Sequence, residues 1–257
     1  MKTQPPTRTR RNSFEYLLID ISNSFTKFAF AGREKTGRPG RIPTRELGPE
    51  SLGKIIAGKQ FETVVLSSVV PEKEKLLVRM FQSRRLLRVG PRLDLGVGIE
   101  YPNPASIGAD RLANAASAVA LYGVPVVVVD FGTAVTFDII SPDKKYVGGV
   151  IAPGLEVMTD YLYQRTALLP KINLLEPVSV VGKSTRSAMM AGAVLGYRGL
   201  VKQILQEIRR EISPKKRVKI VATGGYAGLI ASKLPEIQFV HPGLTLEGLR
   251  IIGNLNS

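Results

Sequence analysis

The chain has 257 residues, a formal net charge of +15, no cysteine and one histidine. This length allows one large domain or two of ordinary size, and 44% hydrophobic residues can fill either kind of core. Disulfides, thiolate zinc sites and cysteine nucleophiles are excluded, and the lone His241 rules out multi-histidine metal sites. A metal ion would therefore need oxygen ligands, and the lack of cysteine fits a reducing cytoplasm.

Positive charge is concentrated in residues 1–13 and again in segments 33–59 and 73–92. The first of these has no acidic residue and lacks the apolar core of a secretory signal, so we expect a basic disordered tail. The other two lack aromatic interleaving and any helix-turn-helix pattern, which disfavours specific nucleic-acid binding. No apolar run approaches the ~20 residues that cross a bilayer, so no membrane partner is expected.

After the tail, residues 14–124 are predicted to form a first domain in which strands and helices alternate. Its predicted strands are 16–20, 27–31 and 63–67, and its predicted helices are 51–57, 72–81 and 107–122. The last helix is the clearest, because small and apolar residues recur at helical spacing and Gly123 ends it. Residues 32–44 are rich in glycine, proline and arginine and are predicted as a loop.

Residues 125–257 are predicted to form a second domain of the same kind. Its predicted strands are 126–130, 135–140, 146–151 and 218–223, and its predicted helices are 155–165, 186–212 and 245–255. The first three strands follow one another closely and should form a meander. The sequence therefore predicts an α/β protein with a mixed sheet flanked by helices in each domain.

Both halves begin with the same motif, a strand that ends in an aspartate, then a turn of small residues and a second strand. Three residues of each copy correspond, namely Asp20, Ser22 and Thr26 in the first and Asp130, Gly132 and Thr136 in the second. Backbone N–H groups and hydroxyls in such a turn can approach phosphate oxygens, while the carboxylate holds a cation or its water shell. This repetition predicts a duplicated nucleotide-binding fold.

Further candidate residues lie at the start of the predicted helix 107–122. Gly108 permits a close turn, and Arg111 can hold an anionic group with two hydrogen bonds. Asp110 lies in the first turn, where the helix dipole favours its ionised form, which suits either a proton acceptor or a simple helix-start residue. Tyr101 precedes them in a proline-rich loop and either presents its phenol or packs into the turn.

Nine motifs in register, over about residues 16–252, resemble those of type III pantothenate kinases. In chain order they are Asp20-x-Ser-Asn-Ser, Tyr101-Pro-Asn-Pro, Gly108-Ala-Asp-Arg, Asp130-Phe-Gly-Thr-Ala, Gly148-Gly-Val-Ile-Ala-Pro-Gly, Arg165-Thr-Ala-Leu-Leu-Pro, Gly182-Lys-Ser-Thr, Ala222-Thr-Gly-Gly and Leu244-Thr-Leu-Glu-Gly-Leu. The resemblance implies two related actin-like (ribonuclease H-like) domains, of the sugar-kinase and Hsp70-like superfamily, with the active site in the cleft between them. It also implies a cytoplasmic homodimer that uses ATP to convert pantothenate to 4′-phosphopantothenate, the first step of coenzyme A biosynthesis.

The resemblance further implies roles for individual residues. Asp110 matches the catalytic base, Asp130 matches the ligand of a monovalent cation (K⁺ or NH₄⁺), and Asp20 would position Mg²⁺, directly or through water. The residues that match ATP-binding positions are Asp20, Ile21, Ser22, Asn23, Ser24, Phe25, Thr26, Lys27, Thr133, Gly224 and Gly225. Those that match pantothenate-binding positions are Tyr101, Gly108, Ala109, Asp110, Arg111 and Thr185.

The first motif departs from the family pattern, which is usually Asp-x-Gly-Asn-Thr. Ser24 keeps a hydroxyl donor, but Ser22 adds a side chain where the backbone should approach phosphate, which would impair ATP binding if φ were positive there. Two alternative functions stay open. Another small-molecule kinase of the superfamily would not need Tyr101, Arg111 and Thr185 together, and a noncatalytic regulatory homologue would use the basic face on nucleic acid.

Overall fold

The computed structural model describes residues 13–212 and 217–257. The predicted disordered tail lies outside the described residues except for Ser13, which begins the first strand. In the described ranges no helix is both long and apolar enough to span a membrane.

Every predicted strand and helix is present in the described ranges. The strands are β1 (Ser13–Ile21), β2 (Phe25–Ala31), β3 (Gly40–Pro43), β4 (Gln60–Ser68), β5 (Arg85–Arg88), β6 (Gly98–Ile99), β7 (Val126–Phe131), β8 (Ala134–Ile140), β9 (Lys145–Pro153), β10 (Lys219–Gly224) and β11 (Phe239–Val240). The α-helices are α1 (Pro49–Ile56), α2 (Pro71–Met80), α3 (Ala109–Tyr122), α4 (Leu155–Arg165), α5 (Thr185–Ile212), α6 (Ala227–Ala231) and α7 (Leu244–Leu255).

The first sheet has the strand order β3-β2-β1-β4-β5, with antiparallel pairs on one side of β1 and parallel pairs on the other. The prediction of a loop over 32–44 was wrong at β3, and β5 was not predicted. Both are four-residue edge strands of polar or partly buried residues, so neither has the apolar alternation that identifies a strand in sequence.

The second sheet has the order β11-β10-β7-β8-β9-β6. Strands β7, β8 and β9 form the predicted antiparallel meander, and β10 runs parallel to β7. The central strands β1 and β7 therefore have equivalent neighbours. Each pairs with an antiparallel strand that comes next in the chain and with a parallel strand that comes later in the chain. The α/β class with two mixed sheets is confirmed, and the sheets repeat one pattern around their first strands.

Helices α3 and α7 join the two sheets through one shared hydrophobic core. That core contains Tyr16 and Leu18 of the first sheet, Val126 and Val128 of the second, and buried side chains of both helices. The helices approach so closely that a Cβ on Gly248 would lie 1.9 Å from the carbonyl oxygen of Ala113. A glycine is required at that crossing, and the crossing fixes the N-terminus of α3 relative to both sheets.

Two elements cross the boundary that the sequence places between residues 124 and 125. Strand β6 belongs to the first predicted domain but pairs with β9 of the second sheet. Helix α7 belongs to the second predicted domain but contacts β1 and β4 of the first sheet. No single position in the sequence therefore separates the elements of the two sheets. The domain boundary between residues 124 and 125 stays a prediction.

Candidate active site

Strand alternation places Asp20 and Asp130 on the faces that the two sheets turn toward α3 and α7. In β1, Tyr16 and Leu18 belong to the shared core, whereas Leu17 and Ile19 pack on the opposite face. Because side chains alternate along a strand, Asp20 lies on the same face as Tyr16 and Leu18. Strand β7 repeats this arrangement with Val126, Val128 and then Asp130.

The turns that follow these aspartates meet each other. Ser24 Oγ lies 3.2 Å from Thr133 Oγ1, although the two residues are 109 positions apart in the chain. Both side chains are exposed. The two copies of the sequence motif therefore form the facing sides of one polar site.

Asp20 is the most buried carboxylate at this site. Burial raises the pKa of Asp20 to about 6, while Lys27 lowers it and the charges of Asp110 and Asp130 raise it. Ser67 Oγ donates a hydrogen bond to Asp20 Oδ1 at 2.9 Å, and Ser67 was not among the predicted site residues. A buried carboxylate with a raised pKa and two further carboxylates nearby is stabilised by a cation.

Asp130 is held by helix α3. Asn114 Nδ2 donates to Asp130 Oδ2 at 3.2 Å, and Asn114 Oδ1 accepts a 2.9 Å hydrogen bond from Thr245 of α7. Burial raises the pKa of Asp130, which Lys27 lowers. Asn114 was not among the predicted site residues, although its place four residues after Asp110 puts it on the same face of the helix.

Gly224 lies directly against Asp130. Its φ of +91° is one that L side chains rarely adopt, and a Cβ there would lie 2.6 Å from Asp130 Oδ1 and from backbone atoms of Phe131. The neighbouring Gly225 is exposed and has no such contact within 4 Å. The two glycines predicted at ATP-binding positions thus differ, since the first is needed for the fit of Asp130 and the second faces open space.

Asp110 lies at the start of α3, close to the carboxylates of both sheets. Its Oδ1 accepts a 2.9 Å hydrogen bond from the backbone N–H of Arg111, and a Cβ on Gly108 would lie 2.5 Å from the same oxygen. Asp110 raises the pKa of both Asp20 and Asp130 through its charge. The three aspartates from β1, β7 and α3 are therefore close enough to act on one another electrostatically.

Arg111 extends from the same helix turn into a cluster on the second sheet. Its Nε donates to Asp138 Oδ1 at 2.6 Å, and Asp138 is fully buried on β8. Tyr146 donates its hydroxyl to the same oxygen at 3.0 Å, and the Tyr101 ring meets the Tyr146 ring edge-on at 6.2 Å between centroids. Only Tyr101 and Arg111 of this cluster were predicted as site residues from the sequence.

The first turn is braced by Thr44, which follows β3. Thr44 Oγ1 donates to the carbonyl of Ser22 at 2.7 Å, and its N–H donates to the carbonyl of Ser24 at 3.0 Å. Its hydroxyl also lies 3.1 Å from that of Thr26. Thr44 is buried, and it was not identified from the sequence because it follows β3, a strand that was not predicted. Thr44 therefore fixes the backbone of this turn from the protein interior.

Ser22 fits the turn without strain. Among the described residues, Lys144 is the one non-glycine residue with positive φ, so Ser22 does not need the backbone freedom of glycine. Its hydroxyl points toward Asp20 Oδ2, at 3.4 Å. The departure from the family pattern therefore adds a hydroxyl beside the buried carboxylate.

The remaining predicted residues occupy varied environments. Ile21 is buried in the first sheet, Asn23 is exposed in the turn, and the exposed Phe25 ring lies 4.9 Å from the guanidinium carbon of Arg41. Ala109 is the first residue of α3. Thr185 is the exposed first residue of α5. In the described part of the chain, no hydrogen bond or ion pair joins Thr185 to the Arg111 cluster.

No three His, Cys, Asp or Glu side chains converge into a metal site anywhere within 13–212 and 217–257. In phosphoryl-transfer sites Mg²⁺ usually binds one or two carboxylates together with phosphate oxygens and water. Asp20, as a buried carboxylate at the base of the facing turns, has the chemistry for this ligand.

Comparison with solved structures confirms the actin-like fold. An inorganic polyphosphate/ATP-glucomannokinase from Arthrobacter superposes with a TM-score of 0.51 and 15% identity, covering 95% of this chain and 100% of that one. A Campylobacter jejuni protein, named provisionally as a Baf family transcriptional activator, gives a TM-score of 0.57 and 19% identity over 92% and 96% of the two chains. At these identities the likeness establishes the fold alone.

Comparison of sequences is more specific. The family model for type III pantothenate kinase matches residues 16–207. A type III pantothenate kinase of Akkermansia muciniphila is 52% identical over 244 residues, covering 94% of this chain and 99% of the relative. Another, from Moorella thermoacetica, is 44% identical over 254 residues, covering 94% and 99%. The chain, with two copies of a phosphate-turn motif facing one another beside Asp110, belongs to the type III pantothenate kinase family.

Proposed function

We propose that this protein transfers the γ-phosphate of ATP to pantothenate and forms 4′-phosphopantothenate, the first step of coenzyme A biosynthesis, in the cytoplasm. The observation that carries the proposal is the meeting of the two aspartate turns at Ser24 and Thr133, with Asp110 at the start of α3 near enough for its charge to act on both Asp20 and Asp130. Its test is release of ADP by the purified protein in a coupled assay, with and without pantothenate. Release that does not depend on pantothenate would contradict it.

In the proposed reaction Asp110 takes the proton of the primary hydroxyl as that oxygen attacks the γ-phosphorus and ADP leaves. The carboxylate can do this because its anchor to the Arg111 N–H uses Oδ1 and keeps the group at the start of α3. In phosphoryl transfer the protein contributes mainly positioning and charge stabilisation. The hydroxyls of Ser22, Ser24 and Thr133 and the charge of Lys27 would supply these.

Asp20 would hold the Mg²⁺ that accompanies ATP, directly or through a water molecule, and the ion supplies positive charge to the transferring phosphate. Arg111 would bind the substrate carboxylate, because a guanidinium offers paired donors to a carboxylate. Tyr101 lies beside this cluster and would close it from the solvent side.

Cation dependence is the first expected consequence. We expect turnover to require a divalent cation and to rise when K⁺ or NH₄⁺ replaces Na⁺ at constant ionic strength, because Asp130 is a partly buried oxygen ligand suited to a hard ion. Initial rates in matched chloride salts measure this effect. Equal rates in sodium-only and potassium buffers would contradict the proposal of a monovalent-cation site at Asp130.

Ser22→Gly tests the departure from the family motif. Since the Ser22 hydroxyl faces Asp20 and the backbone is unstrained, we expect its loss to weaken ATP binding by about 1 kcal/mol, or roughly a fivefold rise in KM for ATP with kcat nearly unchanged. The exposed Ser83→Gly serves as the control, with no change in KM. A lower KM for ATP would show that the serine crowds the phosphate, and unchanged ATP kinetics would show that position 22 does not contact the nucleotide.

A homodimer is the proposed assembly. Exposed apolar side chains concentrate on α4 and on the segment 166–184 that follows it. They are Val157, Met158, Tyr161, Leu162 and Tyr163 on the helix, and Leu168, Leu175, Val178, Val180 and Val181 after it. Monomeric proteins rarely leave so much apolar surface uncovered. A second copy packed here would cover this apolar surface. Thr185, the first residue of α5, directly follows this surface in the chain and would be brought to the substrate site of the other copy.

Leu168→Glu is expected to shift the protein from dimer to monomer, because Leu168 is 89% exposed in this surface and a carboxylate cannot be buried there without a partner. Sedimentation equilibrium gives the mass of each variant. Leu121→Glu, at a leucine 45% exposed on α3, is the matched control and should stay dimeric. A monomeric wild-type protein at micromolar concentration would contradict the proposed assembly.

The two alternative functions remain outcomes of these assays. A different small-molecule kinase would show turnover in a substrate panel that excludes pantothenate. A noncatalytic regulator would show salt-sensitive nucleic-acid binding and no turnover with any acceptor. The Arg111 cluster favours an acceptor with a carboxylate, and pantothenate has one.

A further inference from the structure

Asp138 is a fully buried carboxylate that the proposed reaction does not use. It accepts hydrogen bonds from Arg111 Nε at 2.6 Å and Tyr146 Oη at 3.0 Å on Oδ1, and from Thr136 Oγ1 at 3.4 Å on Oδ2. Three donors from α3, β8 and β9 thus converge on one side chain. Asp138 is opposite Val128 in the β7–β8 register, on the face that carries Asp130.

This arrangement fixes the guanidinium of Arg111 at Nε, the nitrogen nearest the side-chain stem. Within the described residues its one side-chain hydrogen bond is the bond from Nε to Asp138, so the terminal nitrogens keep their donors. The space for these nitrogens comes from Gly149, which is opposite Asp138 in the β8–β9 register. A Cβ at Gly149 would lie 2.4 Å from Arg111 Nη2.

We propose that Asp138 and Tyr146 are positioning residues for Arg111: they orient its guanidinium over Gly149 so that the terminal nitrogens bind the carboxylate of the acceptor substrate. This inference rests on the proposed function and adds to it the residues that prepare the carboxylate site. Neither residue touches the substrate. Each acts through Arg111.

The electrostatics agree with this role. Burial raises the pKa of Asp138 to about 7, although Arg111 beside it and the hydroxyl of Tyr146 both lower it. Burial lowers the pKa of Arg111, but Asp138, Tyr146 and Asp110 together raise it above the ordinary value. Two ionised groups taken out of water in this way add little net stability compared with an apolar pair, which favours a role other than stability.

The test compares two variants that remove different parts of the arrangement. Tyr146→Phe deletes one hydroxyl, and Asp138→Asn deletes the charge while keeping the shape. We expect KM for pantothenate to rise about threefold in the first and about tenfold in the second, with KM for ATP within twofold of the wild-type value. A merely structural loss would change both constants or neither.

Tyr16→Phe is the matched control. Tyr16 is also a buried tyrosine, on β1, and its hydroxyl donates to Asn254 Oδ1 of α7 at 2.9 Å, away from Arg111. This variant should lose stability without raising KM for pantothenate. If Asp138→Asn does not fold, Tyr146→Phe decides the question alone.

A double-mutant cycle isolates the connection to Arg111. In an Arg111→Ala background, Asp138→Asn should raise KM for pantothenate no further, because the residue through which it acts is gone. A KM for pantothenate within twofold of wild type in folded Tyr146→Phe, or a parallel rise in both KM values, would overturn the positioning role. Absence of pantothenate turnover in the wild-type protein would instead overturn the proposed function, so the two failures are distinguishable.

Discussion

Asp110→Asn is expected to lower kcat for pantothenate phosphorylation by about 100-fold or more, the usual contribution of a positioned general base. The amide has the shape of the carboxylate and its oxygen can still accept the Arg111 N–H, so the start of α3 should be preserved. What it loses is the ability to take a proton from the attacking hydroxyl. The measurement is steady-state kinetics with both substrates varied.

Binding should behave differently from turnover in this variant. The charge of Asp110 raises the pKa of Asp20 and of Asp130, so its removal makes both carboxylates easier to ionise. We therefore expect KM for MgATP to stay the same or to fall slightly while kcat collapses. The control is Asp143→Asn, an exposed aspartate in the turn between β8 and β9, which should keep wild-type constants. A kcat near the wild-type value in Asp110→Asn would show that Asp110 is not the general base.

The elements around the site were predictable because their sequences carry strong local signals. Strands β1 and β7 are buried apolar runs that stop at an aspartate, and α3 has a clear helical periodicity with a glycine after it. The edge strands β3 and β5 have none of these features, since only one neighbour and partial burial constrain them. Prediction succeeded where the sheet interior dictates the residue type.

The supporting residues were not predictable for a different reason. Asn114, Asp138 and Thr44 each contact another site residue across elements that are distant in sequence, at 16, 27 and 22 positions respectively. No motif spacing encodes such pairs, and each looks like an ordinary polar residue within its own helix, strand or turn. Family resemblance names the residues that touch ligands, whereas the structure shows which residues hold those residues in place.

Gly224→Ala is expected to lower the free energy of unfolding by about 2–5 kcal/mol. An L side chain in a left-handed backbone region costs roughly 1–2 kcal/mol, and the new Cβ would also overlap the Phe131 backbone and Asp130 Oδ1 at 2.6 Å. Backbone atoms cannot move aside as a flexible side chain can, so the strain must distort β7 or β10, which pair at Gly224 and Phe131. Chemical denaturation measures the loss.

Gly225→Ala is the matched control, because the two glycines are adjacent and receive the same extra methyl group. A Cβ on Gly225 meets nothing within 4 Å, so its unfolding free energy should stay within about 0.5 kcal/mol of wild type. Where Gly224→Ala remains folded, the displaced Asp130 should bind a monovalent cation less well, and more K⁺ should be needed for half-maximal activity. Equal stability of the two variants would mean that Gly224 does not pack against Asp130. An unchanged potassium requirement in Gly224→Ala would show that Gly224 has no effect on cation binding.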